Sequence, residues 1–181
     1  MKLNLGAGGD VLAGWTNHDL VKLTGIDCAH DLNVYPWPWA SSSVEKIKAY
    51  DVLEHLDQLV PAMDELWRIL VPGGLLDVSV PYWNSYCYAA DPTHRRGFHE
   101  LTFRFFDPDS PYCAARPYYA KARFKILNEK FVLAPFQPYF SLPGIREILV
   151  EGKFARRLVG FVGNYFVSNL IHDIRIVLQK V

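Results

Sequence analysis

Short apolar runs separated by polar and glycine-rich turns organise the first half of the chain. Lys2-Leu3-Asn4-Leu5 predicts a short buried strand, and Trp15-Thr16-Asn17-His18-Asp19 predicts a second that ends in a carboxylate. Ile26 to Leu32 is a short segment that carries another acid, Asp31. Pro36-Trp37-Pro38-Trp39 and Ser41-Ser42-Ser43 break regular structure and predict a loop. Val44 to Tyr50 alternates as a strand through Val44, Ile47 and Ala49, and Asp51 follows it. Leu59, Met63, Leu66, Trp67 and Leu70 recur at spacings of three and four, one apolar stripe of a helix. Pro72-Gly73-Gly74 stops that helix, and Leu75 to Val80 reads as a buried strand. The second half is less regular, with a helix expected within Pro92 to Phe106 and strands over Phe124 to Leu133 and Arg175 to Val181.

Strands alternating with loops or helices indicate an α/β fold with a mostly parallel sheet. Ligands of such sheets bind at the carboxyl ends of the strands, where Gly6, Asp19, Asp31, Asp51 and Pro81 fall. A strand, the turn Gly6-Ala7-Gly8-Gly9 and an acid at the next strand's tip form a pattern that binds an adenosine-bearing ligand. Glycine lets the main chain approach with no Cβ in the way, and the acid can accept both ribose hydroxyls.

Composition adds bounds. The chain has 181 residues, half of them apolar, which fits one domain with one sizeable core. Cys28, Cys87 and Cys113 form no C-x-x-C pair, so neither a disulfide framework nor a zinc knuckle is expected and a cytoplasmic setting is the default. No secretory signal is read at the start of the chain. Zero net charge conceals an asymmetry: residues 1–91 hold 5 Lys/Arg against 12 Asp/Glu, and residues 92–181 hold 14 against 7. The acidic half suits ribose hydroxyls and a cationic cofactor; the basic half suits an anionic substrate, an acidic partner or a membrane surface.

Five motifs in order resemble the class I S-adenosylmethionine-dependent methyltransferases, specifically their small bacterial type-11-like group. They are Leu3-Asn4-Leu5-Gly6-Ala7-Gly8-Gly9, Gly14-Trp15-Thr16-Asn17-His18-Asp19-Leu20, Asp31-Leu32 with Pro36-Trp37-Pro38-Trp39, Tyr50-Asp51-Val52-Leu53-Glu54-His55-Leu56, and Leu66 to Gly74. The resemblance implies a Rossmann-like, seven-stranded, mostly parallel sheet with helices on both faces and an antiparallel last strand. It divides the single domain into a cofactor-binding half (1–82), a substrate-side insertion with helices (83–173) and the last strand (174–181). The implied cofactor is S-adenosylmethionine. Leu5, Gly6, Ala7 and Gly8 would lie beneath its methionine and ribose, and Asp19 with Leu20 would hold the ribose. Asp31 and Leu32 would take the adenine, and Asp51 and His55 would line the methionine end. Asp31 capping a turn and His55 starting a helix are the plain alternatives. Only about ten residues separate the first two strands, where a parallel crossover usually needs a dozen or more, so reduced N-terminal helices are expected. Asp10 stands where the fuller motif has its third glycine, and would either meet the methionine ammonium or sit in solvent.

Methyl transfer from a sulfonium mainly requires alignment, with a base only where the acceptor must lose a proton. Asp91-Pro92-Thr93-His94-Arg95-Arg96-Gly97-Phe98 resembles a segment that lies near the cofactor's methyl in relatives. It makes His94 the candidate base or acceptor-orienting residue and Arg96 the holder of an anionic group, with His99 as a further catalytic candidate. A loop histidine bonding backbone is the alternative for His94. No metal is expected, because Asp91, His94 and His99 match no ligand spacing.

Residues 154–171 are apolar-rich behind Arg156 and Arg157 and too short to span a bilayer, which needs ~20 residues. A buried helix is the plain reading; a homodimer face, a lid and peripheral membrane contact are the others. Tyr112, Tyr118, Tyr119, Phe136, Tyr139 and Phe140 would wall a substrate pocket or belong to the core. The leading expectation is a methyltransferase for a small-molecule acceptor, sugar- or lipid-linked. The alternatives are a non-catalytic cofactor-binding partner subunit and, least favoured, a nucleic-acid methyltransferase, since the basic residues are dispersed.

Overall fold

The computed structural model describes residues 1–134 and 147–181, so Phe136, Tyr139 and Phe140 of the expected aromatic wall lie outside the described residues. Among the described residues, eight strands form one sheet: β1 (Lys2–Leu5), β2 (Thr16–Asp19), β3 (Cys28–Ala29), β4 (Val44–Tyr50), β5 (Leu70–Pro81), β6 (Phe124–Leu133), β7 (Ile148–Val150) and β8 (Asp173–Lys180). Their order is β3-β2-β1-β4-β5-β8-β6-β7. The pairs from β3 through β5 are parallel, while β8 runs antiparallel between β5 and β6. This is the expected Rossmann-like plan with its antiparallel last strand. The expected count of seven strands is corrected to eight by β7, which pairs antiparallel with β6 through Phe131↔Val150 at the sheet edge.

Register explains how the sheet builds a core. Leu3, Ile47, Leu76 and Leu178 align across β1, β4, β5 and β8, and Leu5, Ala49, Val78 and Ile176 form the next row. All eight are buried. Onto this face α1 (Leu59–Ile69) packs Ala62, Met63, Leu66 and Ile69. Fully burying a side chain of this size stabilises by roughly 1.5–3 kcal/mol, so these rows alone anchor the domain. Three shorter or later helices are α2 (Tyr86–Ala90), α3 (Pro111–Ala115) and α4 (Lys153–Tyr165), and α4 sets Gly160 against Phe131, which pairs with Ile174. The expected helix within 92–106 is only a 3-10 turn over Thr102–Phe105.

The opposite face carries Lys2, Asn4, Lys46, Lys48, Asp77 and Arg175. The packing of α1 and α4 just described falls on the apolar face. Between β1 and β2 a loop replaces the usual crossover helix. Buried Asn4 and Asn17 staple it: Asn4 Nδ2 donates to the Asp10 carbonyl (2.8 Å) and to Asn17 Oδ1 (3.1 Å), while Leu12 N donates to Asn17 Oδ1 (2.9 Å). Asp10 pairs with Lys48. Side-chain amides therefore satisfy backbone groups that a helix would have satisfied internally. Among the described residues, no helix is long and apolar enough to cross a membrane.

Candidate active site

The strand ends converge on two adjoining cavities. The first, about 590 Å³, is lined by Gly6 after β1, Asp19 and Leu20 at β2, and Asp31 and Leu32 after β3. Asp51 and His55, after β4, and Thr93 and Arg95, from the loop after α2, also line it. Gly6 has φ of +60°, and a Cβ there would stand 2.6 Å from Val52 Cγ2, so both backbone sterics and close packing require glycine. Asp19 Oδ2 accepts from Gly8 N (2.8 Å), so the acid at the β2 tip also sets the glycine turn. Asp31 Oδ1 accepts from Asn33 N (2.9 Å), a turn cap that leaves the second oxygen for other partners. Leu5, Ala7 and Gly8 do not line this cavity. Leu5 and Ala7 border a smaller recess of about 270 Å³ with Asp10 and Lys48.

Two histidines beside the first cavity are depressed from their ordinary pKa. His18 is lowered mainly by burial; its Nε2 donates to the His30 carbonyl (2.8 Å) and its ring meets Trp39 edge-on. His55 is lowered by burial and then by neighbouring His94. Asp51, held in a left-handed conformation at φ +54°, is raised by burial and then by Asp173.

The second cavity, about 600 Å³, shares Asp51 and His55 with the first. Glu54, Cys87, Asp91, His94, His172 and Asp173 also line it. Glu54 is fully buried, neither of its carboxylate oxygens has a hydrogen-bond partner, and burial pushes its pKa up to about 8. His94 Nδ1 faces the Tyr88 carbonyl at 3.2 Å, so that nitrogen carries the proton and Nε2 is left toward Glu54 Oε1, 4.0 Å away. His172 is pushed up to about 10, first by its hydrogen bond to Asp173 (3.2 Å) and then by Cys87, whose Sγ lies 3.0 Å from Nε2.

Of the three sequence candidates for catalysis, only His94 reaches either cavity. Arg96 is spent on structure: its Nη2 donates to the carbonyls of Leu56 and Asp57, both at 2.7 Å, and so clamps the turn after β4. His99 stands apart with Glu100 (3.3 Å) and the ring of Tyr82. Glu54 lies inside the Tyr50–Leu56 motif, but its burial and its unpartnered oxygens arise from the fold and leave no mark in the sequence. Cys87, His172 and Asp173 carry no motif at all; they meet because the end of β5 and the start of β8 pair through Pro81↔Asp173.

No protein-family model matches the chain, and no curated protein matches it. Solved structures do. A S-adenosylmethionine-dependent methyltransferase from Archaeoglobus fulgidus superposes with a TM-score of 0.65 at 16% identity, covering 99% of this chain and 85% of that one. A possible histamine N-methyltransferase from Thermotoga maritima gives 0.63 at 13% identity, covering 99% and 81%. A Haloferax volcanii methyltransferase bound to its Trm112 activator gives 0.52 at 13% identity, covering 97% and 81%. The fold is therefore that of the class I S-adenosylmethionine-dependent methyltransferases.

Proposed function

We propose that this chain is a S-adenosylmethionine-dependent methyltransferase for a small-molecule acceptor. One observation carries the reading: Asp19, Asp31 and Asp51, which lie far apart in sequence, line a single cavity at the tips of consecutive strands. Asp19 would hold the ribose hydroxyls, Asp31 the adenine amino group with Leu32 against the ring, and Asp51 the methionine end. Gly6 would let the backbone approach beneath. S-adenosylmethionine, when bound, supplies an electrophilic methyl on a sulfonium.

The adjoining cavity would take the acceptor, because it meets the first at Asp51 and His55. Transfer of that methyl would leave the carbon–sulfur bonding electrons on the thioether, and Asp51 and His55, which wall both cavities, would hold donor and acceptor against each other. Alignment is the main requirement. His94 Nε2 is the group of this chain placed to orient an acceptor or take its proton, since Nδ1 is committed to Tyr88. The catalytic roles expected of Arg96 and His99 are not retained.

Titration calorimetry with S-adenosylmethionine tests the reading. Saturable 1:1 binding is expected, weakened at least tenfold in Asp19→Asn, which can still accept from Gly8 N and so preserves the turn. Absence of heat in the parent protein rejects it. A second reading, a cofactor-binding partner subunit without turnover, draws on the missing crossover helix and would give binding but no methylated product from any acceptor.

A further inference from the structure

We infer that Glu54, His55 and His94 form a binding site for a divalent transition-metal ion. Their ligand atoms lie within 4.8 Å of one another, and the three are brought together from the turn after β4 and the loop after α2. The sequence spoke against a metal because it grouped His94 with Asp91 and His99; the fold groups it with Glu54 and His55 instead.

Three independent features point to a cation. Glu54 is fully buried, and both its oxygens lack any partner while lining the cavity. A buried carboxylate without donors is costly, and it is found where it is paired or coordinates metal. Both histidines, moreover, have one nitrogen anchored from behind. His94 Nδ1 donates to the Tyr88 carbonyl. His55 Nδ1 lies 3.0 Å from Thr93 Oγ1, whose own proton goes to Asp91 Oδ1 at 2.6 Å, so the hydroxyl accepts from His55. His94 thus keeps its Nε2 lone pair, 4.0 Å from Glu54 Oε1, and His55, its Nδ1 engaged by Thr93, has Nε2 as its remaining lone pair. Backbone carbonyls and carboxylate-linked groups behind the outer ring nitrogen are how metal-ligating histidines are oriented.

Finally, the surrounding walls are acidic, with Asp51, Asp91 and Asp173 on the same cavity. Acidity alone would serve the sulfonium of the proposed cofactor equally well. Two imidazole lone pairs would not, because a sulfonium carries no N–H to donate to them, whereas a divalent transition-metal ion takes them as ligands. Two nitrogens and one carboxylate favour Zn²⁺, Mn²⁺, Fe²⁺ or Co²⁺ over Mg²⁺ and Ca²⁺, which prefer oxygen. Three protein ligands beside an open cavity leave positions for an outside oxygen. In the methyltransferase reading, and resting on it, that oxygen would belong to a hydroxyl, carboxylate or phosphate of the acceptor, and His94, its Nε2 then on the ion, would orient the acceptor through the metal rather than take its proton.

The test uses tag-free protein stripped with chelator and titrated with Co²⁺ and Zn²⁺, with no adenosyl compound present. One ion per chain is expected, with Co²⁺ giving visible d–d absorption. Glu54→Gln and His94→Gln should weaken binding about 100-fold, and Thr93→Val, which touches the ion only through His55, about tenfold. Circular dichroism establishes that each variant is folded, and the exposed Thr93 variant keeps the test open should a buried one fail to fold. No saturable binding, or binding equal in all three variants, overturns the inference. Metal binding in a protein that gives no heat with S-adenosylmethionine would leave this site standing and remove the methyltransferase reading.

Discussion

Gly6 is the residue at which sequence, backbone and site meet most tightly. Its φ of +60° and the 2.6 Å approach of Val52 Cγ2 mean that even one added methyl must strain the turn and displace the Val52 side chain. Gly6→Ala should therefore cost about 2 kcal/mol in urea unfolding and at least tenfold in adenosyl-ligand affinity. An unchanged midpoint would mean that the turn is looser than this geometry. His172 offers a second residue-level prediction. Its folded pKa of about 10 lies above the ordinary 6.5, so its contribution is complete below pH 6.5 and is lost as pH rises through 10. After allowance for solvent at the cavity mouth, that contribution is about 1 kcal/mol. His172→Gln should be destabilising at pH 6 and near neutral above pH 10. Equal destabilisation at both pH values would remove the charged His172–Asp173 contact as its cause.

At the scale of elements, α4 reverses what its composition implies. The plain expectation was a buried helix, yet only Gly160 and Gly163 of α4 are buried, while Phe154, Leu158, Phe161 and Tyr165 form an exposed stripe at helical spacing. Glycine allows the close approach on the inner side, where a Cβ at Gly160 would stand 3.3 Å from Glu100 Oε1 and 3.4 Å from Phe131. The stripe is the surface on which the expected membrane or homodimer contact would fall. As exposed positions, Phe154→Ser and Phe161→Ser should change stability by within about 0.5 kcal/mol, whereas Phe131→Ala in the core should cost about 3–5 kcal/mol. Equilibrium denaturation separates the two classes, and a large loss at Phe161 would place that ring against protein.

The same contrast explains what was legible. Local signals located β1, β4, β6 and α1, because Leu3, Ile47 and Leu66 follow the periods of their elements. The cavity residues Gly6, Asp19, Asp31 and Asp51 are legible because each ends a strand or lies within two residues of its end. Glu54 and His172 are not, since their significance lies in partners that arrive from elsewhere in the chain. The structural role of Arg96 is not legible, because the Leu56 and Asp57 carbonyls that engage it are invisible to any pattern of side chains.

Over the whole molecule, charge is arranged around the paired cavities rather than spread between the two halves. Several cations of the basic half are satisfied by acids of the same half: Arg104 and Arg156 share Glu129, Arg175 meets Glu147 and Lys130 meets Glu151. These pairs argue against a continuous anion-binding stripe. The cavities remain acidic, and Asp51 and His55 wall both. Two cationic ligands bound there, a divalent ion in one cavity and a sulfonium in the other, must repel through this shared wall. Coupling between binding sites is reciprocal, so each should weaken the other by the same factor. Across a partly buried wall a penalty of about 1 kcal/mol, roughly fivefold, is expected for S-adenosylmethionine. Its demethylated product has lost the sulfonium charge and should show little of that penalty. Metal titrations with and without each compound measure this directly. A protein whose metal affinity responds equally to both compounds would show that the coupling is steric, and would separate Asp51 from the methionine end of the ligand.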